Sequence, residues 1–201
     1  MTQTAAAPTR SRRPLRPYAV GLVVVTAAII GTFVYQAVSS SAPSSGEALG
    51  GTATEADGAL PDGATVFDDR YPGVANLDPE LLHALRKAAT DAEGIEFYVN
   101  SGWRSPAYQQ RLLDEAIAKY GSAKEAARWV ATPQTSPHVS GHAVDIGRSD
   151  ATAWLSKHGA DYGLCQIYRN EPWHYELRPE AISDGCPRMY ADPTHDPRTQ
   201  Q

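Results

Sequence analysis

Apolar residues follow three regimes along the chain. From Tyr18 to Val38 (YAVGLVVVTAAIIGTFVYQAV) 21 residues pass without a charge, and about 20 suffice to carry a helix across a bilayer core. From Ser39 to about Ala64 large apolar side chains nearly vanish among Ser, Gly and Ala. Such a stretch buries too little surface to offset its ordering entropy, so a flexible tether is expected. From Val66 to about Tyr190 apolar positions recur at helical and strand spacing, marking one domain of about 125 residues. The chain reads as a basic tail (1–17), a span (18–38), a linker (39–65), a domain (66–190) and a loose tail (191–201).

Inside the domain, Asp78-Pro79-Glu80 supplies an N-cap, a proline at the first helical position and an acid in the first turn. Leu81, Leu82, Leu85, Ala88 and Ala89 follow at helical spacing until Gly94. Ile95–Asn100 reads as a strand. Ser105-Pro106 opens a second helix with Tyr108, Leu112, Leu113, Ala116 and Ile117 on one face, ending near Gly121. Ser122 and Glu125 form a capping box for a short third helix. After the loop TPQTSPHVSGH, Ala143–Ile146 reads as a strand, Ala151–His158 as a helix, and Gln166–Tyr168 and Trp173–Leu177 as strands. Helices first and strands clustered late predict an α+β fold: a single compact domain with helices packed on a small antiparallel sheet, preceded by one transmembrane helix.

Charge sharpens the topology. The net charge is −5, but Arg10, Arg12, Arg13 and Arg16 lie before the apolar run, leaving 14 basic against 23 acidic residues in the remainder. Positive-inside bias places the N-terminus in the cytoplasm and the domain outside, on a single-pass membrane anchor. A cleaved signal peptide is the alternative, although its apolar region is usually shorter and Pro43 spoils the Ser40-Ser41-Ala42 cleavage pattern. The acidic body argues against a nucleic-acid partner. Two cysteines exclude a four-thiolate zinc site. In an exported domain, Cys165 and Cys186 are expected to form a disulfide closing a 22-residue loop, worth roughly 3 kcal/mol; two separate buried thiols are the competing reading.

Of six histidines, His83 reads as packed or half-buried on the first helix, His158 as a helix C-terminal cation and His195 as a tail residue. His138, Asp145 and His174 stand apart. Two imidazoles and a carboxylate make a three-ligand zinc set that leaves a fourth position for water. Glu171, three residues before His174, is the candidate carboxylate to take that water's proton. His142 lies four residues after His138, as in helical zinc-protease motifs, but Pro137 and Gly141 oppose a helix. Strand alternation also turns His142 away from Asp145.

Ser-x-His-x-x-Gly-x-Ala-x-Asp at Ser136–Asp145, Glu-Pro-Trp-His at Glu171–His174 and Ser-Gly-Trp-Arg-Ser at Ser101–Ser105 together resemble the VanY-type zinc D-alanyl-D-alanine carboxypeptidases. Their superfamily also contains D-Ala-D-Ala dipeptidases and L-alanyl-D-glutamate endopeptidases. The resemblance spans about Asp78 to Leu177. It implies one zinc ion per domain on His138, Asp145 and His174, and Glu171 as general base and then proton donor. It also implies that Arg104 faces the substrate carbonyl or terminal carboxylate; independently, a cation at this strand end suits an oxyanion. Ser136 either binds substrate or braces its loop. The implied substrate is the D-Ala-D-Ala end of a peptidoglycan stem peptide. An endopeptidase and a non-catalytic, zinc-stabilised wall-binding module are the alternatives. Only seven residues (Leu164–Asn170) separate Gly163 from Glu171, shorter than the family's usual hairpin, which leaves the choice of peptide bond open.

Overall fold

The computed structural model describes residues 53–200; the expected membrane span at 18–38 lies outside them. Among the described residues no helix is long and apolar enough to cross a membrane. The helices are α1 (Pro72–Ala75), α2 (Pro79–Asp91), α3 (Pro106–Tyr120), α4 (Ala123–Ala126), α5 (Ser149–His158) and α6 (Ala181–Asp184). The strands are β1 (Val99–Ser101), β2 (Ala143–Ile146), β3 (Leu164–Gln166) and β4 (His174–Leu177). They form one antiparallel sheet in the order β1-β2-β4-β3, so the domain is α+β.

Helix α2 begins where its sequence signal lies: the Asp78 carboxylate accepts from the N–H groups of Glu80 and Leu81. Its Leu81, Ala84, Leu85 and Ala88 pack with Phe97, Val99, Val144, Ile146 and Tyr175 in the main core. Burying a leucine of this kind stabilises by roughly 2 kcal/mol. Gly121 ends α3 in the left-handed region at φ +79°. Strand β2 is buried on both faces, because Val144 and Ile146 meet the core while Asp145 faces the other way, into the site.

Several expectations need correction. Strand β1 begins only at Val99, since the Ile95 N–H closes a turn onto the Ala92 carbonyl. Strand β3 starts two residues earlier than expected, at Leu164. The apolar face of α3 is only half-buried, and its most buried residue is the polar Gln109. His83 is exposed rather than packed. The linker does not stay free up to residue 65: Asp57 accepts a 3.0 Å hydrogen bond from the Ser105 hydroxyl, and the Ala64 carbonyl accepts from the Val99 N–H. Residues 191–200 are not loose either. Asp192 and Asp196 cap two short 3₁₀ turns and are buried, held by Arg128 and Arg198. Apart from Leu60, which packs against the main core, the contacts at both ends are backbone and charge, which hides them from hydrophobic periodicity.

Candidate metal centre

Register brings the site together. Asp145 on β2 pairs directly with His174 on β4, and Ser101 on β1 pairs with Asp145 from the other side. Directly opposite residues of an antiparallel pair share a face. His138 reaches the same point from the Thr132–His142 loop. That loop is closed by the bonds Ser136 N–H to Thr132, Gly141 N–H to His138, and His142 N–H to Pro137. It is tied to the body by the Asp78 N–H donating to the Gly141 carbonyl and the Arg104 N–H donating to the His138 carbonyl.

Three donor atoms converge. His138 Nε2 lies 3.5 Å from Asp145 Oδ1, His174 Nδ1 lies 3.3 Å from the same oxygen, and the two nitrogens are 3.3 Å apart. Ligands 2.0–2.1 Å from a tetrahedral zinc are separated by about 3.3–3.4 Å, so this triangle fits zinc. Each donor is aimed by its other atom. His138 Nδ1–H donates to the Gly102 carbonyl at 2.8 Å. His174 Nε2–H donates to Glu176 Oε1 at 3.2 Å. Asp145 Oδ2 accepts from Arg104 at 2.7 Å, leaving Oδ1 buried without a hydrogen-bond partner among the described residues. Outer contacts of this type set tautomer and direction in metal sites.

The electrostatics divide the two histidines: burial and then the charge of Arg104 lower His138. Burial opposes a charged His174, but the adjoining carboxylates of Asp145 and Glu176 overcome it and push His174 up to about 9. Burial likewise opposes the Asp145 carboxylate, yet His138, His174 and Arg104 hold it well below its ordinary value.

Glu171 stands beside the triad, 6% exposed, with Oε2 3.7 Å from His174 Nδ1 and Oε1 buried without a partner among the described residues. Burial raises it to about 7, where it can both take and give a proton. Arg104 is no surface ion pair: beside Asp145 it donates to Ser101 Oγ at 2.7 Å and Gln109 Oε1 at 3.1 Å. A guanidinium has five N–H donors, so two are not used by these contacts. Ser136 is buried at the cleft wall, and its backbone, not its hydroxyl, makes the loop's turn bonds. His142 is exposed and contacts Ser140. The Cys165–Cys186 disulfide is formed.

A cleft of about 490 Å³ includes the triad in its lining, together with Lys119, Tyr120, Trp129 and Trp173. A larger hollow of about 700 Å³, between β3 and residues 180–190, includes no histidine in its lining; the chemistry lies in the smaller one. Sequence reasoning missed Gln109 and Glu176. Gln109 donates to the Ala131 carbonyl at 2.8 Å and bridges it to Arg104. Glu176, 1% exposed, stands two residues after His174 in strand β4, and that spacing was its available signal.

A buried two-histidine, one-carboxylate donor set with a free acid alongside is an arrangement suited to a metal-dependent hydrolase. Residues 75–180 match the VanY family model, described as D-alanyl-D-alanine carboxypeptidase, and the chain belongs to that family. It is 35% identical to a D-alanyl-D-alanine carboxypeptidase of Enterococcus faecalis (strain ATCC 700802 / V583), over 43% of this chain and 42% of that protein. The chain thus spans less than half the length of that relative. Among solved structures it is similar to the LdcB LD-carboxypeptidase (TM-score 0.50, 25% identity, 62% of this chain and 70% of that one). It is also similar to VanYB in complex with D-alanine-D-alanine (TM-score 0.49, 28% identity, 54% and 74%).

Proposed function

We propose that the chain is a zinc-dependent D,D-carboxypeptidase, one ion per domain, that removes the terminal D-Ala from peptidoglycan stem peptides ending in D-Ala-D-Ala. The observation that carries this reading is the triangle of His138, Asp145 and His174 with the unpartnered Glu171 oxygen beside it, in a domain of the VanY family. The basic end and apolar run at 18–38 support a membrane-anchored domain facing the wall.

His138 Nε2, Asp145 Oδ1 and His174 Nδ1 would hold the ion. Zinc supplies Lewis acidity there, acidifying water and polarising a carbonyl oxygen. Glu171 Oε1 accepts the proton of the attacking water and then passes it to the amine of the departing D-Ala, so the carboxylate ends as it began. Arg104, fixed by Ser101, Gln109 and Asp145 at the cleft wall, offers its remaining N–H donors to the developing oxyanion. Ser136 contributes its hydroxyl to the same cleft as a substrate contact.

Digestion of defined muropeptides, read by mass, tests the assignment. Release of one D-Ala from a pentapeptide is expected. Release only from a tetrapeptide would move the reading to an L,D-carboxypeptidase, and cleavage at an internal bond to an endopeptidase. Zinc binding without any cleavage would make the domain a wall-binding module.

A further inference from the structure

Residues 181–200 lie beyond the stretch that matches the family, yet they reach the metal centre. Their path is pinned repeatedly. Cys186 is bonded to Cys165 on β3. The Tyr190 N–H donates to the Ile167 carbonyl at 2.9 Å, and its carbonyl accepts from the Arg169 N–H at 3.0 Å. Asp192 accepts from Arg128 at 3.1 Å. Arg198 then turns inward. Its Nη1 donates to Glu176 Oε2 at 2.7 Å and its Nη2 to Glu176 Oε1 at 3.3 Å. Its other side is held by Asp196, which in turn accepts from the Tyr168 hydroxyl at 3.0 Å.

Glu176 Oε1 is the atom that accepts from His174 Nε2–H. We propose that Arg198 is a positioning residue for the metal ligand His174, acting through Glu176, so that the C-terminal segment sets the zinc affinity of the centre. This rests on the reading that the triad holds zinc.

A side chain as buried as Glu176 needs hydrogen-bond donors at both of its oxygens. Arg178 supplies one contact, 2.6 Å to Oε2, from the end of its own strand. Among the described residues only Arg198 contacts both oxygens, and it thereby fixes the plane of the carboxylate. Without it, rotation toward Arg178 releases His174 Nε2–H. The imidazole then loses the outer contact that keeps its proton on Nε2 and its Nδ1 lone pair toward Asp145 and His138.

The test measures zinc dissociation constants of the full-length chain, purified in detergent, by competition with a chromophoric chelator. Melting of the zinc-free proteins is followed in parallel. Arg198→Met is expected to weaken zinc binding about 10–100-fold, and Arg198→Lys to recover part of that loss. In a Glu176→Met background, Arg198→Met is expected to add no further loss. Zinc affinity of folded Arg198→Met within about twofold of wild type would overturn the proposal, and so would losses that multiply in the double variant. If Arg198→Met does not fold, Arg198→Lys decides: an unchanged affinity overturns the proposal, and a several-fold weakening supports it. A wild-type chain that binds no zinc overturns both this proposal and the metal reading, whereas normal wild-type binding with an indifferent Arg198 overturns only this one.

Discussion

Asp145 and His174 face one another in the β2–β4 ladder, with Asp145 Oδ1 3.3 Å from His174 Nδ1. Two of the three candidate ligands are therefore placed by strand register rather than by loops. Side chains alternate along a strand, so a slip of one residue would turn either ligand to the opposite face. The core side chains Val144, Ile146 and Tyr175 lock that register, because the same slip would expose them. The hydrophobic core and the metal centre thus specify one strand pairing between them.

His174→Ala is expected to drop bound zinc from near one per chain to below about 0.1, since a two-ligand remnant cannot complete a tetrahedral site. Metal analysis after dialysis checks this, and full retention of zinc would sink the ligand assignment. Asp145→Asn should weaken binding as well, while leaving an oxygen for Arg104.

Glu171→Gln should leave zinc content unchanged and lower kcat on a D-Ala-D-Ala pentapeptide about 10²–10⁴-fold, the usual worth of a positioned base. The amide keeps the size of the side chain but cannot accept the proton. Equal turnover by the variant would remove Glu171 from the reaction; lost zinc would recast it as a ligand.

Much of this was legible in the sequence. Asp78-Pro79 announced α2, the segment Ala143–Ile146 was read as the strand that became β2, and the motifs at 136–145 and 171–174 held the three residues that converge, His138, Asp145 and His174. What stayed hidden has a common physical cause. Gln109, Glu176, Asp192 and Asp196 are buried, and Asp57 half-buried, through ion pairs and hydrogen bonds, which leave no hydrophobic period. The tail did carry a signal, however. Asp192-Pro193 and Asp196-Pro197 repeat the cap-and-proline pattern that marks the start of α2.

The tail's anchoring should show in acid. Burial opposes ionisation of Asp192, but Thr194, His195 and Arg128 outweigh it and lower the carboxyl to about 2. Its ordinary value is near 4. A depressed carboxyl contributes stability that is present above the ordinary value and lost as pH falls toward the depressed one. Asp192→Asn should therefore melt a few degrees below wild type at pH 7, a loss of about 1–2 kcal/mol. The gap should close between pH 4 and 2. A gap that persists unchanged to pH 2 would contradict the ionised role.

Reducing Cys165–Cys186, or replacing both cysteines by serine, should lower stability by roughly 3 kcal/mol through the chain entropy released to the unfolded state. Thermal melting with and without reductant measures this. An unchanged Tm would mean that the ion pairs of Asp192 and Arg198 hold the segment without the covalent bond.

Gly102 links backbone packing to metal chemistry. Its carbonyl receives the His138 Nδ1–H, and a Cβ there would lie 2.0 Å from the Gly73 carbonyl oxygen, the same oxygen that accepts from the Trp103 N–H. A methyl group cannot be accommodated without moving backbone on one side. Gly102→Ala should therefore lower the melting temperature by several degrees, the scale of a steric clash costing about 1–3 kcal/mol. It should also weaken zinc binding, because a displaced Gly102 carbonyl no longer aims His138. Gly94→Ala is the comparison, since a Cβ at Gly94 meets nothing within 4 Å although its φ of +79° carries backbone strain. It should lower Tm while leaving zinc affinity at the wild-type value. Equal zinc affinity in both variants would separate Gly102 from the centre and leave it a packing residue alone.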